Sequence, residues 1–167
     1  LGEAATGRDA RPRSALARDG AADGAALLGD ACEALGRFLR LDGCSALLAG
    51  EGGWKPCASA GAGPALPPHL ALHADRLAAG VQSIDDVALP LAERAALERA
   101  GVRWLLPLGG ESVRAVLLLG RRLAGTWLSR RETLEIDRFS EHAAMALENA
   151  ALRLAARSRV TLDRELR

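Results

Sequence analysis

The chain has 167 residues, 49% apolar and 26% charged, the balance of one ordinary globular domain with a sizeable core rather than of a disordered or fibrous chain. Its formal net charge of +1 supplies no global field for nucleic acid or anionic lipid, and the arginines are interleaved with Asp and Glu. No run approaches the roughly 18 apolar residues that cross a bilayer, and Cys32, Cys44 and Cys57 form no C-x-x-C pair and leave one over in any pairing, so a reducing cytoplasm is the expected setting.

Residues 1–23 mix Ala, Gly, Arg and Asp without hydrophobic period and read as a disordered linker with no face to bury. Over 24–40, Leu27, Leu28, Ala31, Leu35, Phe38 and Leu39 recur at intervals of three and four, which predicts an amphipathic helix with Asp23 as its N-cap. Two short apolar runs, 44–49 and 54–60, flank Gly50, Glu51, Gly52 and Gly53, and predict a β-hairpin. If Ala49 lies opposite Trp54, Cys44 and Cys57 share a face of that hairpin, offset by one pair. A Gly/Pro-rich stretch at 61–68 leads to a predicted helix over 69–79 and a short strand over 81–84, which Asp85 and Asp86 end. A further helix over 91–100 is closed by Gly101, where a left-handed cap wants glycine.

The segments VRWLLPL and VRAVLLLG predict a second hairpin around 109–112. The later strand is apolar on both parities, Val113, Ala115, Leu117 and Leu119 against Val116 and Leu118, so the sheet must be covered on both faces. A short strand near 123–127 is expected before Ser129, whose spacing to Glu132 is that of a capping box. The helix that starts there runs without a breaker to at least Arg159. Its roughly 30 residues span about 45 Å, against about 20 Å for a six-residue strand, so the excess projects from the domain as a connector. Phe139, Ala143, Ala146, Leu147, Ala150 and Leu154 form a heptad-like seam of apolar and small residues, with Ala143, Leu147, Ala150 and Leu154 as the candidate dimer seam.

The order helix, hairpin, irregular middle, hairpin, long helix resembles the GAF domain, a ligand-sensing relative of PAS domains. GVRWLLPL, VRAVLLLG, GTWLSRRE and HAAMALENAALRLAAR look like the family's strand ending in Pro-Leu, its Gly-terminated apolar strand, its Ser-capped turn and its closing helix. The resemblance covers about 25–157 and places the domain over 24–157, with 158–167 continuing the last helix towards an output domain. It implies an α/β (α+β) fold in which the terminal helices cover one face of a six-stranded antiparallel sheet and the middle helices and loops cover the other. It also implies a sensory or regulatory input, ahead of a histidine kinase, a phosphatase or a cyclic-dinucleotide enzyme. Any ligand is expected on the sheet face away from the terminal helices, beneath 61–90.

Specialised branches of that family leave recognisable residues, and these are missing here. Lys55 is the sole lysine and has no Asn beside it, unlike the cyclic-nucleotide binders, and no cysteine adjoins a histidine, unlike the bilin binders. His69 and His73 lie i, i+4, a spacing that puts two imidazoles on one helix face, yet only Asp75 is near as a third ligand, and zinc wants three or four. Neither a metal nor a cofactor is expected. A few members reduce free methionine sulfoxide with cysteines, but these thiols have no adjacent Lys or His to lower their pKa and read as small hydrophobes. No P-loop, G-x-S-x-G, dinucleotide or H-E-x-x-H string occurs, so the chain reads as a non-enzyme. Trp54, Trp104 and Trp127 sit in or beside predicted strands; Trp54 and Trp104, with Cys57 and His73, are the pocket candidates. The two functional readings are a sensory module that binds a small ligand or neighbouring domain and transmits through its terminal helices as a homodimer, and a ligand-free dimerisation spacer of the same fold.

Overall fold

A computed structural model of the chain describes residues 10–62, 72, 77–109, 113–125 and 127–166, with side chains from 22 onward. The helical period of the first apolar stretch is realised in α1 (Ala10–Leu39), whose Leu28, Ala31, Cys32, Leu35 and Leu39 form its buried face. This helix begins well before the expected start at 24. Ala and Arg are strong helix formers, and lengthening a helix already held by a packed face costs far less than nucleating one. The two alternating runs become β1 (Gly43–Gly50) and β2 (Gly53–Gly61), paired with Ala49 opposite Trp54 as the glycine-rich loop predicts. A bulge between Ala46 and Leu47 shifts the register, so Cys57 is the unpaired residue between Pro56 and Ala58.

Beyond the middle segment lie β3 (Gln82–Ser83), α2 (Leu91–Arg99), β4 (Trp104–Leu108), β5 (Ala115–Leu119) and α3 (Arg130–Glu165). The expected helix over 69–79 falls largely outside the described residues, and Leu72 and 77–79 are in no helix. Helix α2 ends as foreseen. Gly101 has φ of 81°, Val102 N–H donates to Leu97 O at 3.0 Å and Gly101 N–H to Glu98 O at 3.0 Å, a Schellman closure. At the start of α3, Ser129 Oγ accepts from Glu132 N–H (3.2 Å) while the Glu132 carboxylate accepts from Ser129 N–H (2.7 Å), the reciprocal capping box.

The sheet is antiparallel, in the order β2-β1-β5-β4-β3. Five strands are described where six were expected. The strand foreseen near 123–127 is replaced by one isolated bridge, Leu41 to Arg122, because the Arg122 guanidinium turns the chain there: it donates to Leu39 O, to Trp127 O and to the Glu132 carboxylate. Helices α1 and α3 cover one face, where Leu28, Leu35, Ile136 and Leu147 meet Cys44, Ala46, Leu106, Leu108, Leu117 and Leu119. On the far face Leu47, Leu105, Val116 and Leu118 meet Ile84, Val87, Leu97 and Val102. Both faces are covered, as the apolar parities of β5 required.

Gly120 follows β5 and donates its N–H to Gly43 O at 2.9 Å. A Cβ there would lie 2.6 Å from Gly43 O and closer still to Asp42 Oδ1. Gly120→Ala should therefore cost about 1–3 kcal/mol in urea denaturation, the usual penalty of overpacking. The capping box makes a second prediction, in pH. Hydrogen bonding to Ser129 N–H, with the Arg122 charge in support, holds the Glu132 carboxyl below the ordinary carboxylate range. A depressed folded pKa adds stability above the unfolded value and loses it as pH falls through the folded one. The wild type should thus exceed Glu132→Gln in stability at neutral pH and converge with it in acid, and Ser129→Ala should cost about 1 kcal/mol.

Candidate functional site

The structure separates the residues picked from the sequence. Trp54 lies at the margin of the far face, where its Nε1–H donates to Leu72 O (2.6 Å) and so ties β2 to the middle segment. Cys57 and Trp104 pack on the opposite side, against the core shared with α1 and α3. His73, like His69, lies outside the described residues. Trp54, Cys57 and Trp104 therefore line no common pocket. Strand geometry is the reason: Trp54 and Cys57 differ in parity, and the bulge brings Cys57 and Ala58 together onto the helix face. Trp127 stands almost wholly exposed and belongs to neither core.

All three cysteines, on α1, β1 and β2, pack into one corner of the helix-side core. An interaction with Cys32, with burial in support, holds the Cys44 thiol far above its ordinary range, and the same interaction draws Cys32 below its own although burial opposes it. Neither side chain is exposed, so no substrate reaches either sulfur. Cys57 is half-buried, donates to Ala46 O at 3.5 Å, and is pushed up to about 11 by burial and by the neighbouring Cys32 charge. A protonated thiol is a poor nucleophile at neutral pH. Among the described residues no group of three or more His, Cys, Asp or Glu is placed to hold a metal ion.

Open space lies elsewhere, in a groove of about 850 Å³ between α3, the end of β4 and the segment at 77–80. β3 pairs only with Trp104 and Leu105, so among the described residues no strand pairs with the rim of β4 beyond them. Ile84 N–H donates to Arg103 O at 3.1 Å. By the alternation of a ladder, Leu105 and then Pro107 aim their polar groups at that rim, and Pro107 has no N–H to offer a further strand. The α3 wall supplies Asp137, Glu141 and Glu148, with Ala144 and Met145 as apolar lining, and Arg114 is the one basic residue of the lining. Asp137 Oδ1 is buried with no hydrogen-bond partner among the described residues, beside Gly80, whose lack of a side chain lets the middle segment approach. Such a groove suits a ligand with hydrogen-bond donors or positive charge and an apolar flank. Sequence reasoning missed it because carboxylates along one helix flank look like any solvated face.

The expected dimer seam is also rearranged. Ala143 and Leu147 are buried in the protomer's own core with Ile136, and Ala150 and Leu154 continue that face half-buried. Ala143 and Leu147 are thus satisfied inside the chain, by α1 and the sheet. The large apolar side chains that α3 leaves in the open are Leu134, Met145 (62% exposed) and Leu152 (61%), on its outward side, and Val160 and Leu162 near its end.

A thiol titration of the native protein with an aromatic disulfide reagent should find only Cys57, reacting slowly and faster as pH rises towards about 11. Cys32 and Cys44 should react only on unfolding. Rapid modification of two thiols in the folded chain at neutral pH would show that this corner opens.

The sequence matches no family model and no curated protein. The architecture matches solved GAF domains. A GAF domain/HD domain protein from Geobacter sulfurreducens is similar at 16% identity over 80% of this chain and 97% of its own, with a TM-score of 0.57. The GAF domain of a two-component sensor histidine kinase from Bacillus halodurans is similar at 19% identity over 72% of this chain and 90% of its own, with a TM-score of 0.54. The blue-light absorbing form of the Thermosynechococcus elongatus PixJ GAF domain is similar at 12% identity over 89% of this chain and 95% of its own, with a TM-score of 0.62. The chain has a GAF-like fold.

Proposed function

We propose that this GAF-like chain is a sensory or regulatory input module of a signal-transduction protein, set ahead of a histidine kinase or related output, and that it catalyses no reaction of its own. The observation that carries the reading is the terminal helix pair. α3 has 36 residues and is about 54 Å long, three times the roughly 17 Å of the five-residue β5. α1 packs along it in the opposite direction, since the bridge Leu41 to Arg122 ties the end of one to the approach of the other. A shift or rotation of such a pair moves whatever is joined to its far end. Solved domains of this fold include one from a sensor histidine kinase and one that absorbs blue light, which supports the same use here. No helix among the described residues is long and apolar enough to cross a membrane, in keeping with a cytoplasmic module.

In this reading the chain works as a homodimer through its first and last helices, meeting on the outward stripe of α3 at Met145 and Leu152, with Arg153 and Arg157 at the rim. A helix that leaves large apolar side chains in water seeks a partner. The small ligand, or a contact from a neighbouring domain, enters the groove beside α3, where it bears directly on that helix.

One observation favours the second reading, a ligand-free spacer. The far face, where a ligand was expected, is packed among the described residues by Leu47, Ile84, Leu97, Leu105 and Leu118. Native mass spectrometry of the purified chain separates the two: a retained small molecule marks a sensor, the bare dimer mass a spacer. Sedimentation tests what both share. The wild type should be dimeric at micromolar concentration, and Met145→Glu with Leu152→Glu should sediment as a folded monomer. A wild type that stays monomeric, or a variant that stays dimeric, removes the proposed interface.

A further inference from the structure

We propose that the end of the molecule where α1 stops and α3 begins is a docking surface for an acidic protein segment that carries an apolar anchor residue. Stretches far apart in sequence meet there. Leu123 N–H donates to Arg40 O at 2.8 Å, and the Arg122 guanidinium donates to Leu39 O at 3.4 Å, to Trp127 O and to the Glu132 carboxylate. The end of α1, the loop after β5 and the first turn of α3 are thereby one framework. On it Trp127 is 86% exposed, Leu123 75% and Phe38 52%. Single exposed apolar residues are ordinary, but several on one rigid frame with a tryptophan outermost mark an interaction surface.

Arg40, Arg121, Arg130 and Arg131 stand exposed around these side chains and make no ion pair among the described residues. Three of them sit where local energetics oppose them. Arg40 holds φ at 52°, a left-handed cap position that glycine fills without strain. Arg130 and Arg131 occupy the first turn of α3, at the positive end of the helix dipole. A local rule broken three times at the rim of one apolar patch points to a use outside the fold.

The charge and the number of anchors decide the occupant. A second copy of the chain, docked by two-fold symmetry, would set these arginines against their own images, so this surface is not the homodimer seam. A bilayer is poorly served, because the few side chains that stand out bury less than a myristoyl chain, and one such chain binds membranes only marginally. A protein segment needs only a few anchors, and Trp and Arg are the types that carry interface energy. The guanidinium fork adds paired hydrogen bonds to carboxylates.

The test uses the full chain and a defined probe, a labelled amphipathic helical peptide with Leu and Phe along one face and Glu along the other. Its Lys-for-Glu twin and phosphatidylserine vesicles are run beside it. Saturable binding of the acidic peptide is expected, weakening with salt and shifting tryptophan emission. Trp127→Ala, and Arg130→Glu with Arg131→Glu, should each weaken it by about tenfold or more. The double variant should also melt higher than wild type, because its charges then suit the helix dipole, so that its lost binding is not lost folding. No saturable binding of the acidic peptide, equal binding of the basic twin or of the vesicles, or undiminished binding by Trp127→Ala overturns the proposal.

Discussion

Strand β5 has no polar face. Ala115, Leu117 and Leu119 pack towards α1 and α3, Val116 and Leu118 pack towards α2 and the middle segment, and none of the five is more than 1% exposed. A strand apolar on both sides is soluble only inside a three-layer arrangement, and its neighbours β1 and β4 must satisfy its backbone along the whole length. Each buried Leu or Val contributes roughly 1.5–3 kcal/mol relative to exposure, so the two cores are held together through this one element. The helix layer and the irregular layer touch the same strand from opposite sides, and a displacement on one side is felt on the other because a close-packed interior has no slack.

That arrangement leaves the chemistry at the periphery. The thiols are packed inside the helix layer, where burial and the neighbouring Cys32 keep the half-buried Cys57 protonated and enclosure keeps the other two unreachable. The far face is filled with aliphatic side chains among the described residues. Open polar space lies where the sheet runs out, at the rim of β4 that the two-residue β3 does not cover, and there the flank of α3 supplies the carboxylates. In the proposed sensory reading, a ligand held in this groove bears directly on α3, the helix that carries the signal.

Arg122 plays the organising part at the opposite end. One guanidinium, 11% exposed, holds the end of α1, the loop carrying Trp127 and the capping carboxylate of α3. Glu132 thus serves twice, capping its own helix and pairing with Arg122, and such coupled polar networks fix a single geometry more than they add stability. The exposed tryptophan and the surrounding arginines inherit their placement from it.

The sequence alone determined the features that rest on local chemistry and on period. The Gly101 closure, the Ser129–Glu132 box, the pairing of Ala49 with Trp54, the doubly covered β5 and the overlong α3 all follow from residues a few positions apart, and all are present. With them the order of elements was enough to recognise a GAF-like fold. What joins distant residues had no local signal. Arg122 ties the distant Leu39 to Trp127 and Glu132 and so replaces a strand with a turn; the bulge in the first hairpin is a contest between register and core packing; and the pocket residues separated because alternate positions of a strand face opposite ways. The seam of Ala143, Leu147, Ala150 and Leu154 was correctly read as an apolar helix face, but period cannot say whether its partner is a second chain or α1 of the same one. Only the folded arrangement decided that, by spending Ala143 and Leu147 on the protomer's own core and leaving Met145 and Leu152 in the open.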